Sequence, residues 1–75
     1  MFEVAAELIV QSIHQVLCGY EAQCEAGRFR GDHPELPVVR ELIDRAHTLK
    51  IRGYEAAEMQ AWVRDVADVL PQLWD

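Results

Sequence analysis

Apolar side chains recur along this chain with a helical period, and no stretch alternates with the period of a strand. Plotted at about 100° per residue, Phe2, Ala5, Ala6, Ile9, Val10, Ile13, Val16, Leu17, Tyr20 and Cys24 share one side. They fit within an arc of about 140°, the width of a core-facing helix stripe. Glu3, Glu7, Gln11, His14, Cys18, Glu21 and Glu25 lie opposite, and Val4 and Leu8 fall off the main face. The phase runs unbroken through Gly19, so the pattern predicts one long helix over 2–26, closed by Gly27 at its C-terminus.

A loop rich in glycine and proline follows, "GRFRGDHPEL" at 27–36, with a cap-like Asp32-x-x-Glu35. The second predicted helix covers 36–52, with Pro37 in its first turn and Val38, Val39, Leu42, Ile43, Ala46 and Leu49 on its apolar face. On its wet side, Arg40–Asp44 and Glu41–Arg45 have the spacing of i,i+4 ion pairs. Gly53 breaks the chain. A third helix over 54–70 buries Met59, Trp62, Val63, Val66, Val69 and Leu70, and Leu73 and Trp74 lie beyond its stop at Pro71. The expected fold is all-α: a single domain, 1–75, in which the long first helix packs on a shorter helical hairpin.

The lengths do not match. At 1.5 Å per residue the first helix spans about 37 Å and the other two about 24 Å each. The hairpin is too short to cover the first helix from end to end, so a second copy of the chain is expected to cover the rest. The seam of that homodimer would draw on Phe2, Ile9, Ile13, Val16 and Tyr20.

Charge narrows the choice of partner. Thirteen acidic residues against seven basic ones leave a net charge of −6. Nucleic acid and anionic membranes are therefore poor partners, since phosphate neutralisation needs clustered Lys and Arg. The charge is also segregated. Residues 1–27 carry four acids and no Lys or Arg, 28–52 hold six of the basic side chains, and 53–75 set Arg64 against five acids. No apolar run reaches the roughly 18 residues that span a bilayer. Nor does the N-terminus, interrupted by Glu3 and Glu7, have the form of a secretion signal. The expectation is a cytoplasmic protein with free thiols.

Four constellations could carry chemistry. Cys18 and Cys24 are six apart, about 240° around a helix, and a disulfide needs Cα atoms within roughly 7 Å with facing Cβ vectors. They form no pair on a continuous helix. His14, Cys18 and Glu21 do share a stripe, and these are zinc-ligand types, but a closed site requires a fourth ligand such as His33. They are weak metal candidates, and no cofactor is expected. Arg28, Phe29 and Arg30, set between two glycines, could clamp a phosphate or carboxylate or dock on the core.

Residues 46–66 have a loose helix-turn-helix outline, yet the second helix exposes Glu55, Glu58, Asp65 and Asp68, which repel phosphates. The exposed acids of the first and third helices could instead imitate a nucleic acid and meet a basic groove on another protein. Catalysis has little support. Ser12 and Thr48 are the only aliphatic alcohols, no nucleophile–base spacing is present, and a bundle this small leaves little room for a pocket. The sequence thus points to a small, acidic, non-enzymatic accessory or regulatory protein. It would bind a protein partner through Arg28, Phe29, Arg30, Glu58, Asp65 and Asp68. The alternative is a DNA-binding regulator using 46–66.

Overall fold

The structure is a computed structural model that describes residues 2–27 and 33–73, with side chains from Ala5 onward. The Arg28–Arg30 loop and Trp74 lie outside the described residues, and so does the side chain of Phe2. The described chain forms three packed helices: α1 (Phe2–Glu25), α2 (Leu36–Ile51) and α3 (Ala56–Val69). A 3-10 turn (Leu70–Gln72) follows where Pro71 interrupts the α-helical ladder. No strand occurs among the described residues. The molecule measures 42 × 19 × 17 Å, and α1 accounts for about 36 Å of the long axis.

α2 is the middle element. It packs against α1 on one side and α3 on the other, while the α1 and α3 backbones stay apart. One apolar core joins all three helices. Leu17 of α1, Val39 and Leu42 of α2, and Trp62 and Val66 of α3 are its most enclosed side chains. The Trp62 indole Nε1–H donates to the Leu42 carbonyl at 2.9 Å, so the largest core residue arrives with its one polar atom satisfied.

The turns explain where the helices stop. Gly27 takes φ 72° and donates to the Cys24 carbonyl at 3.1 Å, closing α1. After α2, Gly53 (φ 74°) donates to Lys50 at 3.2 Å and Tyr54 to Leu49 at 2.8 Å, the paired bonds of a Schellman motif. Tyr54 itself has φ 58°, a left-handed conformation uncommon for a side chain of its size. That conformation delays α3 to Ala56, two residues later than the periodicity predicts. The Glu55 carboxylate accepts from the Glu58 and Ala57 N–H groups at 2.9 and 3.2 Å. Those two bonds hold its carboxyl below the usual carboxylate range.

The segregated charge also acquires a cause. Arg40 does not pair with Asp44, nor Arg45 with Glu41, because both arginines reach across to the neighbouring helices. Arg40 spans Glu21 (2.9 Å) and Glu25 (3.3 Å) of α1. Arg45 meets Asp65 (2.6 Å) of α3, and Arg52, just beyond α2, meets Glu58 (2.7 Å). A central basic helix between two acidic ones follows the segregation of charge along the chain. Each bridge is solvent-exposed and contributes little stability alone. Together they disfavour other pairings of the helices.

Tyr20 shows how enclosed the α1–α2 seam is. Burial, and then its hydrogen bond with Cys24, push the phenol from 10.0 up to about 12. A folded-state pKa above the unfolded one gives stability that is intact below the unfolded value and lost as pH rises through the folded one. Circular dichroism should therefore hold steady up to about pH 10 and show unfolding between 10 and 12. Tyr20→Phe should flatten that limb; an unchanged alkaline profile would place Tyr20 in water.

Candidate functional site

Helix α1 presents three sides to its surroundings. Ala6, Val10, Leu17, Tyr20 and Cys24 are buried against α2 and the core. Glu7, His14, Cys18 and Glu21, all half-buried, lie along one flank, where Arg40 and His47 of α2 approach. The third side faces outward. Leu8 is 60% exposed, Ile9 48% and Val16 43%. Ala5, Gln11, Ser12, Gln15, Gly19 and Ala22 complete the exposed positions between Ala5 and Cys24, and not one of them is charged.

That is unusual on a chain with 27% charged residues and a net charge of −6. The exposed faces of solvated helices normally carry charge. Nothing among the described residues asks for this composition. Ser12 satisfies its own hydroxyl by donating to the Leu8 carbonyl at 2.8 Å. A Cβ built on Gly19 would meet no atom within 4 Å, so the chain's own packing does not require the glycine. A helix-interior glycine costs about 1 kcal/mol relative to alanine.

The predicted dimer seam is divided by this geometry. Ile9 and Val16 lie on the outward side, Ile13 is half-buried against the core, and Tyr20 belongs to the core itself. A tyrosine 3% exposed has no surface left for a second chain. The uncovered part of α1 therefore runs along its length instead of lying at one end. A single helix, α2, covers α1, and one helix covers one side. The apolar pattern leaves Leu8 off the main face and gives Ser12 and Gly19 no part in the predicted seam. The signal available was the absence of any Asp, Glu, Lys or Arg at 8, 9, 11, 12, 15, 16, 19 and 22.

A second region holds the most reactive side-chain types. Between α1 and α2, Gln11, His14, His47, Lys50 and Tyr54 line a cleft of about 180 Å³. The imidazoles of His14 and His47 meet edge to face, centroids 5.1 Å apart. Cys18 Sγ lies 3.6 Å from His14 Nε2 and 3.9 Å from Nδ1. The third predicted metal candidate, Glu21, is engaged by Arg40. Among the described residues no three His, Cys, Asp or Glu side chains converge as a metal site.

Cys18 is half-buried and packs against the core, where the periodicity had placed it outside. Burial first, and the Glu21 charge second, push its thiol up. The thiolate, the form that attacks electrophiles and binds metals, is thereby disfavoured. Cys18 and Cys24 are both free thiols.

The acids predicted to bind a partner are spread over α3. Asp65 and Asp68 border an open groove of about 450 Å³ between α2 and α3, larger than a bundle of this size was expected to hold. Glu58 lies near the α2–α3 turn, and Arg52 and Arg45 neutralise Glu58 and Asp65. Within the helix-turn-helix unit over 46–66, Arg52, the arginine at the turn, is held by Glu58. Arg28, Phe29 and Arg30 fall outside the described residues. No helix among the described residues is long and apolar enough to cross a membrane. No protein-family model, curated protein or solved structure matches this chain.

Proposed function

We propose that this chain is a non-catalytic protein-interaction module whose docking element is the outward side of α1. One observation carries the reading: every exposed position from Ala5 to Ala22 is uncharged, and three of them are large aliphatic residues. An apolar strip of that length on a small acidic protein has the chemistry of a surface that is covered in use. An acidic face acting on a basic partner has less support, because two of its three acids are already paired with arginines of the same chain. Accessory or regulatory action would follow from occupancy of α1, with the α2–α3 hairpin acting as the scaffold that presents it.

Photo-crosslinking tests this directly. A benzophenone side chain placed at Leu8 in the full chain, expressed in its native host, should give covalent adducts on illumination. The same group at Glu41, an exposed and charged position on α2, should give none above background. Equal yields at the two positions, or none at Leu8, would sink the reading.

A further inference from the structure

We infer that the partner on the outward side of α1 is a second copy of this chain, and that the two α1 helices run antiparallel in close contact. The inference rests on the docking role proposed for α1 and specifies its occupant. The exposed residues Ala5, Ile9, Ser12 and Val16 follow one another at spacings of four, three and four, the heptad rhythm of a helix–helix seam. Their sizes alternate: small at 5 and 12, large at 9 and 16, then small again at Gly19.

Orientation follows from that alternation. In a parallel pair, like positions share a layer, so Ile9 would meet Ile9 and Ser12 would meet Ser12, crowding one layer and leaving the next hollow. In an antiparallel pair the two kinds of seam position oppose each other. With the two-fold axis between residues 10 and 11, Ile9 lies against Ser12 of the second copy and Val16 against its Ala5. Every large side chain then has a small one to pack over. Ser12 has no unmet hydrogen bond to desolvate, since its hydroxyl already bonds to Leu8. Gly19 would face the first turn of the partner helix, where close backbone approach gives a use for the missing side chain.

Charge favours the same occupant. Each chain carries −6, and like chains repel except where acids are absent. The outward side of α1 is such a place, since Glu7 and Glu21 lie on the flank toward α2. Neither a basic nor an acidic partner would find a complementary charge there. With that axis, residues 2–19 of the two α1 helices oppose each other, a seam about 26 Å long. One helix seam of that length lies at the low end of interface sizes, so the dimer is reversible and concentration-dependent. Added salt should strengthen it, because screening removes repulsion between the two chains. A charge-driven complex would respond in the opposite sense.

Sedimentation of the full chain from micromolar to millimolar concentration should show the mass rising from 8.6 kDa toward twice that value, more steeply at high salt. Ile9→Glu should weaken association by roughly tenfold or more while leaving the melting transition in place, since Ile9 is 48% exposed. Ala5→Cys and Val16→Cys, mixed and oxidised, should form the 5–16 disulfide between chains. Wild type serves as the control for Cys18 and Cys24.

Disulfides of 5 with 5 and 16 with 16 alone would overturn the antiparallel arrangement. A monomer at every concentration would overturn the second copy as occupant. The docking role is decided separately by the benzophenone at Leu8. Adducts to another protein from a monomeric chain would leave that role standing without a dimer, whereas no adduct at all would remove both.

Discussion

Trp62→Ala should bring this protein close to unfolding. The side chain is 0% exposed, it is the largest in the core, and it joins α3 to α2 through both its ring and its hydrogen bond to Leu42. Truncating a buried aromatic to alanine costs about 3–5 kcal/mol, from lost transfer energy and the cavity left behind. A domain of this length has about 4–11 kcal/mol of stability at the usual per-residue value. The loss is a large share of the total. Urea denaturation followed by circular dichroism should show the midpoint falling sharply, or no folded baseline at all. Trp62→Phe keeps an aromatic ring but removes the N–H donor, and its cost should be smaller, about 1–3 kcal/mol. If Trp62→Ala shifted the midpoint no more than an exposed substitution does, α3 would not be held on α2 as described.

The helices were legible because their signals are local. Periodicity places α1 within one residue of its observed end, and Gly27 and Gly53 act as the stops that their position suggests. Trp62, Val66 and Val69 are buried as the spacing requires, and Leu73 joins them from beyond Pro71. Which side of α1 would be covered was not legible, because its apolar arc is wider than one neighbouring helix can bury. The arc includes Ile9 and Val16 as readily as Val10 and Leu17, and only the position of α2 separates the two pairs. Val38 and Val63 went the same way: apolar, in phase, and left exposed at the margins of their helices.

The ion pairs show a related limit. Arg40 and Arg45 each had a carboxylate at i,i+4 spacing, yet both chose partners about twenty residues away. Local spacing marks what a side chain can reach within its own helix. The packing of α2 between two acidic helices set what it met instead. The meeting of His14 with His47 was hidden for the same reason, since it depends on the facing of two helices and not on any interval along one.

Two leucines of α1 make the sharpest test of its facing, because residue type and helix are held constant. Leu17 is 0% exposed at the centre of the α1–α2 contact, and Leu8 is 60% exposed on the outward side. Leu17→Ala should cost about 2–5 kcal/mol, the range for emptying a packed aliphatic site. α1 packs on α2 without backbone contact to α3, so no other helix compensates for the loss. Leu8→Ala should change monomer stability by no more than about 0.5 kcal/mol, since it removes surface that water already touches and alanine is the better helix former. Thermal melts at low concentration read this monomer term. At high concentration Leu8→Ala should gain a second effect, a lower melting temperature than wild type, as the apolar strip that stabilises the pair is reduced. Leu17→Ala should lower the transition by a similar amount at both concentrations. Equal costs for the two leucines at low concentration would mean that α1 is turned about its axis relative to the arrangement described. The seam of Ala5, Ile9, Ser12 and Val16 would then point elsewhere.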